Sequence, residues 1–280
     1  EVMKLQETCH MENANETTLR EGRGMLFVRQ MFFATVLAFT AQGALAQEPD
    51  AKAMLKSMSD YVSAQKTIEL TFDSDIEIIT PQLEKIQFTS SGDVLLSRPN
   101  KLRAHRVGGY ADVALFFDGK TVNIFGKNAN AYAQFDAPGS MDQLIEALRA
   151  GHGIALPGAD LLLSNSYETL VADVIEAKYM GRGVIDGVEC EHLAFRNMDT
   201  DWQLWVKVGD SPRPCKMVIT SKSVNSAPQY TLRVKSWKTG GEAAPEKFAF
   251  APSASMTRLM PDQLIDLDEL PQPAPTGGKE

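Results

Sequence analysis

The chain has 280 residues, carries a formal net charge of −8 at pH 7 and is 44% hydrophobic, so it can build a large core. Its acidic residues are spread along the sequence, and its basic residues form no block. This pattern excludes nucleic acid as an expected partner.

The segment from Met25 to Ala46 has the pattern of a secretory signal peptide. Arg29 supplies the basic region, an apolar run follows from Met31 to Ala41, and Ala44-Leu45-Ala46 matches a small-x-small cleavage site. The apolar run is well short of the roughly 20 residues that a membrane span requires. We therefore expect cleavage after Ala46 and a mature, soluble chain without an integral membrane segment.

The rest of the chain divides by composition. Residues 1–24 are polar and aperiodic, and we interpret them as upstream sequence that is non-native or disordered. Residues 47–252 carry the periodic patterns of a single domain. Residues 253–280 are rich in proline and small residues, and we expect this tail to be largely disordered.

The domain begins with one amphipathic helix and continues mainly as strands. Apolar residues recur at helical spacing from Asp50 to Lys66, and the pattern then changes to a period of two from Ile68 to Ile78. Small residues from Ser90 to Gly92 predict a bend or bulge within the second strand. Further strands are predicted over residues 86–96, 102–107, 113–117, 122–125, 132–135, 178–185, 188–196, 202–208, 215–221 and 229–237.

A helical insert interrupts these strands. Met141 to Leu148 returns to helical spacing after Ser140, a plausible N-cap, and Asp160 to Thr169 is also predicted to be helical. Short turns such as Asp118-Gly119 connect the strands, so neighbouring strands should be antiparallel. The predicted fold class is α+β, a strongly curved antiparallel sheet that forms an open half-barrel wrapped over helices.

The apolar face of such a sheet must be covered, and the helices are the available cover. If they fill the curve, the protein is a closed domain; if they do not, the remaining apolar cavity would bind a lipid or another acyl ligand. Ordinary core packing predicts the same inward residues as a cavity does. Strand alternation selects Leu70, Phe72, Ile76, Phe88, Val94, Leu193, Phe195 and Met217 as the cavity candidates.

Two cysteines remain after processing, Cys190 and Cys215, and an exported pair can form a disulfide or stay as two buried thiols. With His192 they could form a metal site, but paired ligand motifs are lacking, so we expect no metal. Glu191, His192 and Asp201 are the best acid–base set, but Glu191 and His192 alternate to opposite faces of one strand. We therefore expect no catalytic residues, no enzymatic activity and no cofactor.

The next strand carries two tryptophans on opposite faces. Trp202 shares one face with Leu204 and Val206, and Trp205 lies on the other face, so we expect one of the two tryptophans to belong to the core. We expect the second to pack against a helix or loop on the opposite side.

Three segments carry a resemblance to a known family: Cys190–Arg196 (CEHLAFR), Asp201–Val206 (DWQLWV) and Pro214–Thr220 (PCKMVIT). They resemble the core signature of the domain of unknown function 2092 family, predicted periplasmic proteins of Gram-negative bacteria. The resemblance covers Gln47 to Pro252, including the closing Phe-x-Phe-x-Pro that starts at Phe248.

That family resembles in turn the superfamily of outer-membrane lipoprotein carriers and mycobacterial lipid-binding lipoproteins, the LolA/LppX-like proteins. The resemblance implies a periplasmic half-barrel whose partner is a lipid or the acyl chain of a lipoprotein. It also leaves a second function open, an envelope sensor or interaction module with a protein partner, because anti-sigma-factor regulators have a related half-barrel. Fold analogy alone does not decide between the two.

Overall fold

The first helix, α1 (Ala51–Ser63), forms where the sequence predicts it. Asp50 caps the helix, because its carboxylate accepts a hydrogen bond of 2.8 Å from the backbone N–H of Lys52. Leu55, Met58 and Val62 share one face and are fully buried. The helix therefore delivers one apolar face to the core.

The computed structural model describes residues 50–109, 112–151, 154 and 156–260, which belong to one compact unit of residues 47–280. The predicted signal peptide at 25–46 and the segment 1–24 lie outside the described residues, as does the predicted tail after residue 260. Within the described part of the chain, every helix is too short or too polar to cross a bilayer.

In the described residues, twelve strands form one sheet in the order β12-β6-β5-β4-β3-β2-β1-β11-β10-β9-β8-β7. Neighbouring strands are antiparallel, except for β12 and β6, which are parallel. The outermost described strands, β12 and β7, do not pair with each other, so the curved sheet stays open and the predicted fold class is confirmed. The strands are β1 (Thr67–Ile79), β2 (Lys85–Ser97), β3 (Lys101–Gly108), β4 (Asp112–Phe117), β5 (Thr121–Gly126), β6 (Ala131–Asp136), β7 (Glu176–Ile185), β8 (Val188–Arg196), β9 (Thr200–Lys207), β10 (Pro214–Ser221), β11 (Gln229–Thr239) and β12 (Thr257–Leu259).

The core lies on the face of the sheet that the helices cover. Rows of buried side chains cross the strands in register, because alternate residues of each strand point to the same face. One row joins Leu193, Leu204 and Met217 across β8, β9 and β10. A second row joins Ile68, Leu96, Leu102, Phe117 and Val122 across β1 to β5.

The β1–β2 hairpin is longer than the strands beside it. Its pairing runs without a register shift from Thr67 and Ser97 to Ile79 and Lys85. The pairing of β11 with β1 ends at Ile76, and the pairing of β3 with β2 ends at Ser90. The tip of the hairpin therefore projects beyond the rest of the sheet.

A bend or bulge is predicted at Ser90 to Gly92, and the bulge is wrong, since both neighbours of β2 pair with these residues without interruption; the bend stays a prediction. The register shift lies instead between Thr71 and Phe72, where β1 meets β11. Gly92 has a different role: it lies opposite Phe72, and a Cβ atom on Gly92 would come 2.5 Å from Cζ of that ring.

The helical insert connects β6 to β7. It contains α2 (Met141–Glu146), a π turn (Ala147–Gly151), a 3₁₀ turn (Ala159–Leu162) and α3 (Ser166–Val171). Ser140 caps α2 in a full capping box with Gln143. The second predicted helix, over 160–169, is divided in two because Leu163 adopts an extended conformation at φ −64° and ψ 155°.

After β11 the chain crosses the outer face of the sheet. Phe248 ends a 3₁₀ turn (Pro245–Phe248) and is fully buried. The ring of Phe250 lies between 5.4 and 5.7 Å from the rings of Phe116, Phe125 and Tyr132. Ordered structure then continues past residue 252, where the sequence predicts the end of the domain, because β12 adds a short strand beside β6.

Candidate functional site

The eight predicted cavity residues fall into two groups on the concave face. Six of them belong to the packed core or contact it. Phe72 and Val94 are half-buried against that core. The four that are fully enclosed within it are Leu70, Leu193, Phe195 and Met217.

The other two candidates, Ile76 and Phe88, are half-buried and lie farther along the β1–β2 hairpin than the core does. They are register partners, and Ile78 and Ile86 form the next pair on the same face. We call Phe72, Ile76, Ile78, Ile86 and Phe88 the inner strip. It continues the apolar concave face toward the tip of the hairpin.

A row of small residues crosses the inner strip. Ser74 pairs with Ser90, and Ser90 pairs with Gly108, so the row spans β1, β2 and β3. Both serines are buried. The small side chains lower the floor of the concave face between Phe72 and Ile76.

The helical insert contacts the concave face beside this row. Gly158 lies against Leu232 of β11, since a Cβ atom on Gly158 would be 3.0 Å from Cδ2 of that leucine. Leu232 is the register partner of Ser74. The contact of Gly158 therefore lies beside Ser74, and Ile76 and Ile78 follow farther along β1.

Polar contacts tie the insert to itself and to the sheet. Arg98 donates a hydrogen bond of 2.7 Å to the carbonyl oxygen of Leu162, and burial lowers the pKa of the Arg98 guanidinium. Arg149 binds both carboxylate oxygens of Asp160, at 2.6 and 3.0 Å. These bidentate and buried contacts fix the position of the cover.

One carboxylate lies on the concave side of β8. Glu191 accepts a hydrogen bond of 2.6 Å from the hydroxyl of Tyr179 and one of 3.1 Å from Nε of Arg182. The hydrogen bond to Glu191 raises the pKa of Tyr179 and also that of Arg182. The carboxylate is thus neutralised locally by groups of the edge strand β7.

The predicted acid–base set does not come together. Glu191 is on the concave face, whereas His192 Nε2 lies 2.9 Å from Oε1 of Gln203 on the outer face. Asp201 is bound by Lys222 at 2.9 Å and lies 3.9 Å from Arg196. The three groups therefore belong to separate networks.

The prediction for the two tryptophans is confirmed only in part. Trp202 is buried and stacks on Phe195 at 3.9 Å between ring centroids. Trp205 does not pack as expected on a helix or loop: its ring stacks on His192 at 4.1 Å, and Nζ of Lys216 lies 4.9 Å from its centroid. Side chains of the flanking strands can cover an aromatic ring as well as a helix does.

The two cysteines are brought together across β9. Both are buried and unbonded in the structure, where the thiol of Cys190 donates to the carbonyl oxygen of Val188 at 3.5 Å and that of Cys215 donates to the carbonyl oxygen of Arg213 at 3.9 Å. Burial raises the pKa of the Cys190 thiol to about 12. Their disulfide stays a prediction, since proximity permits either state.

A histidine–carboxylate group on the outer face was missed by the sequence analysis. His105 Nε2 lies 2.7 Å from Asp112, and its Nδ1 lies 3.4 Å from Asp93. The hydrogen bond with His105 lowers the pKa of Asp112. Among the described residues, no group of three or more His, Cys, Asp or Glu side chains has the geometry to hold a metal ion.

A shallow groove of about 290 Å³ lies on the outer face, under the chain that follows β11. Leu95 and Glu69 form its floor, and Lys238, Lys247 and Glu242 line its walls. None of its lining residues is a predicted cavity residue.

Known proteins provide a comparison for this fold. No curated protein matches the chain. Among solved structures, the lipoprotein LppX of Mycobacterium tuberculosis is 14% identical, with a TM-score of 0.44 over 70% of this chain and 99% of LppX. The MucA/MucB complex of Pseudomonas aeruginosa gives 14% identity and a TM-score of 0.41 over 72% of this chain and 62% of the matched chain.

A LolA superfamily protein of Nitrosomonas europaea is 12% identical, with a TM-score of 0.34 over 72% of this chain and 98% of that protein.

The sequence match to a family is more extensive. Residues 51–259, most of the chain, match the model of a family described as predicted periplasmic protein, DUF2092. The chain therefore belongs to the DUF2092 family of predicted periplasmic proteins.

Proposed function

We propose that this protein binds the acyl chain of a lipid or lipoprotein on its concave face, in the periplasm, and catalyses no reaction. The observation that carries this proposal is the inner strip, in which Ile76, Ile78 and Phe88 are half-buried and Ile86 is exposed beyond the packed core. Apolar surface that is left partly in water is a ready binding surface for another apolar group.

The dimensions of the strip fit a long, thin ligand. Phe72 and Ile78 are separated by six residues of one strand, a distance of about 20 Å at the usual rise per residue. The row of Ser74, Ser90 and Gly108 forms a depression at its middle, because these residues are small. An extended acyl chain matches this shape better than a compact ligand would.

The arrangement of polar groups favours binding over catalysis. Glu191, His192 and Asp201 are held in separate hydrogen-bond networks, so they cannot act together on one substrate. Of the cavity candidates, Phe72, Val94, Ile76 and Phe88 would contact the ligand, while the four enclosed residues would support the face from within.

The compartment is part of the same proposal. We infer that the leader is cleaved after Ala46 and that the mature chain from Gln47 moves freely in the periplasm. A protein that shields an acyl chain is useful there, because the space between two membranes is aqueous.

The proposal is tested by titrating the purified protein with a fluorescent fatty acid and comparing variants. Phe88→Ser should weaken binding about tenfold, because one large apolar contact is lost. Val184→Ser is the matched control, since Val184 is apolar and exposed at the other end of the sheet. Absence of uptake by the wild-type protein, or equal uptake by both variants, would count against acyl binding at the strip.

One observation favours a second candidate function, recognition of an envelope protein. The edge strand β7 has one unpaired side among the described strands and exposes Met180 and Val184. An extended peptide could add to this edge, although the register shift after Tyr179 would interrupt the pairing. Crosslinking in cells that yields one stable partner, lost in Met180→Lys, would support this function over acyl binding.

A further inference from the structure

Exposed apolar side chains collect at one end of the sheet. The strand register places there the β1–β2, β8–β9 and β10–β11 turns, the end of β3 and the start of β7. We call this surface the rim. Its exposed apolar residues are Leu83, Ile86, Val107, Ile175, Met198 and Val224.

Leu83 lies at the tip of the projecting hairpin and combines two unfavourable features. Its φ of 64° is in the left-handed region, which a leucine adopts only at a cost in conformational free energy. Its side chain is also 64% exposed. A glycine or asparagine would avoid both costs. A leucine at this position therefore indicates that its side chain contacts another molecule instead of stabilising the fold.

The neighbouring turns present their apolar residues in the same way. Met198 is 78% exposed in the β8–β9 turn. The backbone N–H of Lys222 donates a hydrogen bond of 2.8 Å to the carbonyl oxygen of Asp199, which ties this turn to the loop that carries Val224. Single apolar side chains on separate, polar turns form no packed patch that a rigid protein surface would complement.

Several charges near the rim are paired. The chain as a whole carries a net charge of −8, which would oppose contact with an anionic surface. At the rim, four acidic groups have basic partners, whereas Glu84, beside Leu83, accepts a hydrogen bond from the hydroxyl of Thr80. The ion pairs are Lys85–Glu77 at 3.1 Å, Lys222–Asp201 at 2.9 Å, Arg196–Glu176 at 3.3 Å and Lys127–Asp112 at 3.1 Å.

We propose that the rim is the surface with which this protein contacts a lipid bilayer, with Leu83, Met198 and Val224 inserted at the level of the headgroups. The rim offers no block of basic residues to an anionic headgroup, so a zwitterionic lipid surface suits it better, and fluid lipid accepts isolated apolar tips. The inference rests on the proposed function in one respect: the inner strip opens at this end, so an acyl chain could pass directly between membrane and strip.

The test is flotation of the protein, purified from the periplasm, with phosphatidylcholine vesicles. Leu83→Gly and Met198→Ser should each reduce the partition coefficient about tenfold. Glycine accepts the positive φ of position 83, so Leu83→Gly leaves the turn unstrained. Val184→Ser, at the opposite end of the sheet, should float like the wild type, and raising the salt concentration should change little.

Three results would overturn the inference. The first is a wild-type protein that does not float. The second is flotation that requires anionic phosphatidylglycerol and disappears in salt. The third is a dimer in solution that Leu83→Gly dissociates, since the rim would then be an interface between copies of the chain.

The proposed function can fail separately from the rim. Uptake of a fluorescent fatty acid in vesicle-free buffer depends on the inner strip and should be unchanged in Met198→Ser. Flotation without uptake would support membrane contact at the rim and contradict acyl binding at the inner strip. Uptake without flotation would support acyl binding and contradict membrane contact.

Discussion

The ring of Phe72 on β1 occupies the space beside the bare Cα of Gly92, its register partner on β2. A Cβ atom at position 92 would also meet the carbonyl oxygen of His105 on β3. The absence of a side chain on Gly92 is therefore what lets Phe72 lie flat at the start of the inner strip.

Gly92→Ala should destabilise the protein by about 1–3 kcal/mol, because the added methyl overlaps both an aromatic ring and a backbone oxygen. Urea denaturation followed by circular dichroism measures this change. Gly109→Ala is the matched control, since no atom lies within 4 Å of its added Cβ, and it should leave the midpoint almost unchanged. Equal midpoints for the two variants would contradict the close contact.

Leu193→Ala and Ile76→Ser should separate the core from the ligand surface. Leu193 is fully enclosed, so its truncation should cost about 2–5 kcal/mol of stability. Ile76 is half-buried beyond the core, so Ile76→Ser should mainly weaken binding of a fluorescent fatty acid. If Ile76→Ser proved as destabilising as Leu193→Ala, the inner strip would be part of the core.

Because of Asp112, the free energy of unfolding should depend on pH below about pH 4. Its hydrogen bond with His105 lowers its pKa below the ordinary value of 3.8. The stabilising contribution is therefore complete above that value and is lost as the pH falls through the lowered pKa. Asp112→Asn should be less stable than the wild type at neutral pH, by about 1 kcal/mol or less.

The two proteins should converge when denaturation is repeated below the lowered pKa of Asp112, where the aspartate of the wild type is protonated as well. A difference in stability that stays the same at both pH values would show that the carboxylate charge is not its cause.

Cys190 and Cys215 should be oxidised to a disulfide in protein taken from the periplasm, where a dithiol–disulfide oxidant accepts their two hydrogens. Mass spectrometry should then find the unfolded chain lighter by two hydrogen atoms, with no thiol to alkylate. After reduction, the folded protein should react slowly with iodoacetamide, because both thiols are buried and the pKa of Cys190 is raised to about 12. Two free thiols in freshly isolated, denatured protein would contradict the disulfide.

The elements of this fold could be predicted because their signals are local. Asp50 and Ser140 cap helices through residues two or three positions away, and the alternation from Ile68 to Ile78 defines a strand without reference to any other strand. A strand as short as β12 carries no such period, and its pairing depends on where the outer-face segment leads the chain.

The sequence predicts which face of the sheet carries the site, but not which part of that face. Leu70 and Ile76 have the same parity in the same strand, so alternation assigns both to the concave side. Only the packing of the whole fold makes Leu70 part of the core and leaves Ile76 half-buried outside it. In the same way, His105 meets Asp93 and Asp112 through strand register, which turn lengths and the whole sheet determine together.

The central claim, that the concave face holds an acyl chain, is tested most directly by native mass spectrometry of the protein isolated gently from the periplasm, followed by lipid extraction. We predict a bound species with the mass of a lipid or an acylated peptide, and a lower occupancy in Phe88→Ser than in Val184→Ser. An empty wild-type protein that also fails to take up added fatty acid would contradict the claim.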